Sequence, residues 1–131
     1  ATVKSTHSFS DHFDSVYDVD WAPSHPAVFA SVDGGGKLSF LFLSFFFFFP
    51  SVFASLNHFN ISLGVEFEKE TEIPIETVQV SKHALNKVRW NQNSKHLAVA
   101  VSDGSLQIYN TGEVIFSFFS VLNFLFQFFF N

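Results

Sequence analysis

Two segments of the chain are one supersecondary unit written twice: HFDSVYDVDWAPSHPAVFASVDGGGKLS, His12 to Ser39, and HALNKVRWNQNSKHLAVAVSDGSLQIYN, His83 to Asn110. Superimposing Trp21 on Trp90 brings Val19 over Val88 and the apolar run Ala27 to Val32 over Leu97 to Val101. Asp33-Gly34 then falls within one position of Asp103-Gly104. A repeat constrains the fold strongly, because a unit too small to bury its own apolar face must stack on a neighbour.

Each copy reads as three short strands. Tyr17, Val19 and Trp21 alternate with Asp18 and Asp20, the period of a strand with one buried face, and Val88 and Trp90 repeat that face. A polar turn follows, Ala22 to Pro26 or Asn91 to Lys95, and then a near-continuous apolar run expected of a strand covered on both sides. Asp-Gly makes the hairpin turn into a third strand, from Lys37 onward or Leu106 to Tyr109. A further strand at Thr77 to Val80 precedes the second copy and is expected to give that unit four strands.

Short antiparallel strands with Trp closing the first, Asp at the second turn and an aromatic-polar pair at the end resemble a blade of the WD40 β-propeller family. Tyr109-Asn110 stands six residues after Asp103, where that family usually has Trp-Asp, and His12 precedes Trp21 by nine residues, as the family's turn histidine does. The resemblance implies an all-β fold, a partial propeller of about two blades. It also implies a hydrogen-bonded set inside each blade: His12, Ser31 and Asp33 in the first copy, Ser102 and Asp103 in the second. Trp21, Gly34, Trp90, Gly104 and Tyr109 are the other structural positions it marks. The closing Trp is missing from both copies, with Tyr109 in its place in one.

VYDVDWAPSHPAVFASVDGGGKLS, then ETEIP, then ALNKVRWNQNSKHLAVAVSDGSLQIYN is similar to the C-terminal blades of the dynein intermediate-chain family. The likeness covers roughly residues 12 to 39 and 69 to 113. It implies a non-enzymatic, cytoplasmic, cytoskeleton-associated scaffold that binds the dynein heavy chain and assembles with other dynein subunits. Candidate contacts are turn residues such as Ser24, His25 and Asn91 to Lys95, since propellers bind through loops on a rigid disc. Two blades cannot close a ring, so exposed edges and poor solubility in isolation are expected.

Trp21 and Trp90 are 69 residues apart, whereas one such repeat takes about 40 to 45. The surplus falls at about Phe40 to Glu68 and contains five consecutive phenylalanines, Phe45 to Phe49. Two stretches, Leu38 to Val65 and Val114 to Asn131, have no Asp, Glu, Lys or Arg. The expected division is therefore a blade at 1–39, a Phe-rich insertion at 40–68, a second blade at 69–113 and a Phe-rich tail at 114–131.

Three readings of the Phe-rich stretches compete. A core element would need cover on every side, which an insertion between blades lacks. Membrane spans are long enough on paper, with Lys69, Lys82, Lys87, Arg89 and Lys95 between them. A span at Phe40 to Val65 would nonetheless place two stacking units on opposite sides of a bilayer, and Pro50, Asn57, His58 and Asn60 would lie inside it. The third reading is translation of pyrimidine-rich intron sequence, whose TTT, TTC, CTT and TCT codons yield Phe, Leu and Ser. A chain with 21 Phe and no Met that begins at Ala1 fits that expectation of a fragment or conceptual translation, and a core normally mixes apolar types.

Other chemistry is excluded on pattern. A net charge of −5 with 7 Lys and Arg in no cluster gives no footprint for nucleic acid. Without Cys there is no disulfide or thiolate site, in keeping with a reducing compartment. His7 and His12 have neither ligand spacing nor a third partner, so no metal or cofactor is expected. No G-x-S-x-G elbow singles out a serine nucleophile, and Gly34-Gly35-Gly36 lacks the Lys and helix of a phosphate loop. Glu66, Glu68, Glu70 and Glu72 form an acidic run read as a solvated edge.

Overall fold

The computed structural model describes residues 2–5, 8–25, 27–42 and 75–130. Among these residues seven strands form two antiparallel sheets. The first contains β1 (Val16–Trp21), β2 (Val28–Asp33), β3 (Lys37–Phe42) and β4 (Glu76–Gln79) in that order. The second contains β5 (Leu85–Trp90), β6 (His96–Val101) and β7 (Leu106–Asn110). A helix, α1 (Gly112–Phe130), follows.

The two sheets share their register in detail. Val16 lies opposite Asp33 and Trp21 opposite Phe29 in one, Leu85 opposite Val101 and Trp90 opposite Leu97 in the other, with an irregularity at the same place, Val16/Asp18 and Leu85/Lys87. Each second hairpin turn ends in a left-handed glycine, Gly36 at φ 86° and Gly104 at φ 93°. That conformation strains any residue with a Cβ.

The core lies between the sheets. Val28, Ala30 and Val32 of β2, with Leu38, Phe40 and Phe42 of β3, form one face, packed with Leu85, Val88, Trp90, Leu97, Val99 and Val101 of the second sheet. Each fully buried aliphatic chain here contributes about 1.5–3 kcal/mol. Stacking one sheet on the next is what the repeat demanded.

Three expectations are corrected. The strand after the gap joins the first sheet, not the second: Val78 pairs with Leu38 and Thr77 with Ser39. It reaches back because β3 offers an open edge, whereas β5, next in sequence, begins the new sheet. Second, β3 runs through Phe42 with Phe40 and Leu41 buried, three residues beyond the Ser39 boundary, because Phe40 and Phe42 lie on the inter-sheet face. Residues 43–68 lie outside the described residues, as do Lys69, Glu70 and Glu72.

Third, the buried face of β1 is the reverse of that read from alternation. Trp21 is 50% exposed while its counterpart Trp90 is 8% exposed. Tyr17, Val19 and Trp21 lie on the outer face of the first sheet, and Asp18 and Asp20 turn toward the second.

Helix α1 begins as Thr111 O accepts the Ile115 N–H at 3.1 Å and Asn110 Oδ1 accepts the Gly112 N–H at 3.1 Å. Ile115, Phe118 and Phe119 pack against the core and Phe42, whereas Phe116, Val121, Phe124 and Phe128 are exposed. Among the described residues no helix is long and apolar enough to cross a membrane.

Candidate functional site

Two polar arrangements stand out, one in the seam between the sheets and one inside the first sheet. In the seam, Asp18 and Asp20 lie two residues apart on β1 and meet two backbone donors two residues apart on β5. Asp18 Oδ2 accepts the Val88 N–H at 3.0 Å and Asp20 Oδ2 accepts the Trp90 N–H at 2.8 Å. The indole Nε1–H of Trp90 also donates to the Asp20 carbonyl at 3.0 Å, and Arg89 Nη1 donates to Asp18 Oδ2 at 2.5 Å. Trp90 meets Phe40 edge to face, ring centres 5.8 Å apart.

Burial pushes the Asp18 carboxyl up, but the N–H groups of Val88 and Val19 and the Arg89 guanidinium outweigh it and hold it below the ordinary aspartate value. Hydrogen bonds to the charged form are what make a half-buried carboxylate tolerable there. The seam continues into the turns: the Ser24 N–H donates to Ser94 Oγ at 2.9 Å and Ser24 Oγ donates to the Gln92 carbonyl at 3.3 Å. Ser94 is buried with φ 60°, and its carbonyl accepts from Thr111 Oγ1 at 2.9 Å. Ser24 and Ser94, named above as candidate contacts, thus hold the two turns together. Asn91, Gln92, Asn93 and Lys95 remain exposed, while His25 stacks on Phe119 at 5.4 Å.

Within the first sheet, His12, Ser31 and Asp33 meet. His12 Nδ1 is 2.7 Å from Asp33 Oδ2 and Nε2 is 2.6 Å from Ser31 Oγ. The other Asp33 oxygen accepts the Gly35 and Lys37 N–H groups, each at 2.9 Å. Burial raises the Asp33 carboxyl, and the Lys37 N–H, His12 and the Gly35 N–H outweigh it and lower it. Lys37 Nζ reaches both the Asp11 carbonyl and its carboxylate at 3.1 Å. Asp33 therefore braces the β2–β3 turn from one side and anchors the segment before β1 from the other.

The Ser31–His12–Asp33 connectivity is that of a nucleophilic triad. Ser31 is buried under the segment before β1, and neither described cavity touches it. One cleft, of about 450 Å³, runs between β4 and α1 past Ile75, Glu76, Glu113 and Phe118. The other, of about 360 Å³, lies between the β5–β6 turn and α1, by His25, Lys95 and Phe116. The serine aligns the histidine, and its side chain lies outside both of these clefts.

Among the described residues the second copy builds no such set, which corrects the expectation for Ser102 and Asp103. Seven residues, Ala22 to Val28, separate Trp21 from its cross-strand relative Phe29, and six, Asn91 to His96, separate Trp90 from Leu97. That one-residue difference puts Val99 and Val101 where the first sheet has Ser31 and Asp33. Asp103 instead corresponds to Gly35 and bonds the N–H and hydroxyl of Ser105 at 2.9 and 2.7 Å from an exposed turn. Ser105 lowers its carboxyl. The turn glycine that matches Gly104 is Gly36, since both have positive φ, so Gly34 is not the counterpart. Tyr109 packs against the core from β7. Among the described residues no three His, Cys, Asp or Glu side chains group to hold a metal, and His7 lies outside them. The acidic pair on β1 was missed as a site, although Asp18-x-Asp20 before a Trp was visible.

Comparison with known proteins matches residues 3–38 and 74–110 to the WD domain, G-beta repeat family. The chain belongs to that family. Its two WD40 sheets are blades of a partial β-propeller, not closed into a ring among the described residues. The cytoplasmic dynein 1 intermediate chain of Drosophila melanogaster is 32% identical over 112 residues, 85% of this chain. The chain spans 13% of that relative's length. Among solved structures, the β-propeller domain of Myceliophteria thermophila Cps50 (Swd1) superposes with a TM-score of 0.46 at 9% identity, covering 72% of this chain and 22% of that one.

Proposed function

We propose that this WD40 module is a non-enzymatic scaffold of the dynein intermediate-chain type, which binds the motor heavy chain and joins other dynein subunits in the cytoplasm. The observation that carries this reading is the 32% identity to the dynein 1 intermediate chain across 85% of the chain. The seam is consistent with it: paired carboxylates and an edge-to-face aromatic pair give a rigid support, and the exposed turn residues Asn91, Gln92, Asn93 and Lys95 lie at one end of it. The polar set with triad connectivity is a brace, with its serine buried. The test is co-purification of the dynein heavy chain with the tagged full-length protein. Replacing Gln92, Asn93 and Lys95 together by Ala is expected to reduce recovery of the heavy chain while leaving the fold intact by circular dichroism. No heavy chain on the unaltered protein would reject the reading.

The same reading treats the Phe-rich stretches as foreign to the module. The apolar side chains exposed along α1, Phe116, Val121 and Phe124, are what a segment not shaped by folding presents.

A further inference from the structure

Asp-Gly occurs twice in the chain, at Asp33-Gly34 and Asp103-Gly104, each time in the second hairpin turn of a sheet. In both turns a carboxylate oxygen accepts the N–H two residues on, from Gly35 or Ser105, at 2.9 Å. A carboxylate that closes such a turn folds its Cγ back toward the peptide nitrogen in between. That nitrogen belongs to glycine in each case, with no side chain to shield it. The surroundings differ. Asp33 is buried, and its oxygens are shared among His12, Gly35 and Lys37. Gly34 donates its N–H to the Ser15 carbonyl at 2.9 Å, and an added Cβ there would lie 3.2 Å from side-chain atoms of Asp14 and Tyr17. Asp103 and Gly104 are exposed. An added Cβ on Gly104 would meet nothing within 4 Å, and its N–H makes one bond, to the Val101 carbonyl at 3.1 Å. The Ser105 hydroxyl donates to Asp103 Oδ1 at 2.7 Å and draws electron density from Cγ.

We infer that Asp103-Gly104 is a site of spontaneous isoaspartate formation, and that the fold shields the same dipeptide at Asp33-Gly34. In the first step the Gly104 nitrogen attacks Asp103 Cγ. The N–Cγ bond forms, a Cγ–O bond breaks, and the carboxyl OH leaves with the amide proton as water. Solvent water then opens the cyclic imide at the original main-chain carbonyl, which breaks its bond to the Gly104 nitrogen. The chain now runs through the side-chain carbon, with no net change in mass. Attack needs the protonated carboxyl, whose OH can leave, and the Ser105 bonds keep Asp103 charged, so the rate rises from neutral toward mildly acidic pH. The product lengthens the main chain by one methylene and draws the carboxylate off Ser105. The turn closed by the Val101 N–H on the Ser105 carbonyl at 3.0 Å then loosens. The freed α-carboxylate is an acceptor for a methyltransferase acting on isoaspartyl groups. None of this depends on the scaffold reading.

The test ages the whole chain at body temperature and mildly acidic pH, folded and in urea, and follows both dipeptides by electron-transfer mass spectrometry of proteolytic fragments. In the folded chain isoaspartate should form at least about tenfold faster at Asp103 than at Asp33, which reacts only from a locally opened state. In urea the two rates should become equal, since the dipeptide is the same. Labelling with an isoaspartyl methyltransferase and radioactive methyl donor should follow the Asp103 product with time. Asp103→Glu, whose longer side chain must close a six-membered ring, should lose that label. Equal rates at the two sites in the folded chain would overturn the inference, as would a difference that persists in urea. So would label retained in full by Asp103→Glu, or an Asp103 that stays intact in the folded chain while the unfolded chain converts.

Discussion

Asp20 holds Trp90 twice, its carboxylate accepting the backbone N–H at 2.8 Å and its carbonyl accepting the indole N–H at 3.0 Å. A single residue of β1 thus sets both the height and the ring orientation of the aromatic at the centre of the seam. Asp20→Ala leaves the Trp90 N–H without its acceptor and is expected to cost about 1–3 kcal/mol, whereas Trp90→Phe loses one neutral bond and costs about 0.5–1.5 kcal/mol beyond lost packing. Urea unfolding of the chain measures both. An unchanged midpoint for Asp20→Ala would mean that apolar packing alone holds the blades together.

Acid should loosen both the seam and the brace inside the first sheet. Asp18 and Asp33 both sit below the ordinary aspartate value when folded. Each therefore adds stability that is fully present above the unfolded value of about 3.9 and is lost as pH falls through the lower folded value. Unfolding midpoints should be flat from neutral pH down to about 5 and fall below about 4. In Asp18→Asn and Asp33→Asn the acid decline should be shallower. A decline as steep in the double variant would place the acid sensitivity elsewhere.

Gly36 and Gly104 share a backbone conformation but not surroundings. A Cβ on Gly36 would lie 1.8 Å from the Ser81 carbonyl oxygen, while one on Gly104 would meet nothing within 4 Å. Gly104→Ala should cost about 1 kcal/mol for the left-handed backbone alone. Gly36→Ala should cost more, because Ser81 must move and the β4 junction with it. Thermal unfolding of the two variants side by side would expose equal losses, which would contradict the close approach.

Ser39 is fully buried on the outer face of the first blade, and its hydroxyl has no hydrogen-bond partner among the described residues. Ser39→Ala removes an unsatisfied polar group with little change in volume. A gain of about 1 kcal/mol is expected. Destabilisation measured by chemical denaturation would show that the hydroxyl has a partner.

The distance from Trp21 to Trp90 makes a prediction about the gene. The mature transcript should join codons near Ser39 to codons near Lys69, restoring a repeat of about 40 to 45 residues. β3 currently draws Phe40 to Phe42 from that stretch, and the joined sequence must supply apolar strand residues in their place. A tryptic peptide from Leu38 to Lys69 in the native protein would overturn this.

Most strands were readable because their signals are local. Trp21 and Trp90 end strands that the structure also ends there, and the apolar runs after the polar turns are β2 and β6. His12, Ser31 and Asp33 are grouped by the resemblance to a WD40 blade, not by spacing alone, and their side chains touch. Ser102 and Asp103 were misassigned because a turn one residue shorter shifts every later residue to the next register, and in a strand that exchanges faces. Asp18 and Asp20 were read as solvent-facing because alternation shows which residues share a face without showing which face is covered.

Sequence by itself determined the repeated hairpin unit, its tryptophan anchors and its turns, since backbone preference and residue periodicity act over a few positions. Only the tertiary structure decided that β4 completes the earlier blade, that carboxylates rather than valines line the inner side of β1, and that no described strand lies along the outer edge of β7. Those outcomes depend on which backbone donors and apolar faces another segment brings within reach, and a hydrogen bond such as Asp20 to Trp90 spans seventy positions of chain.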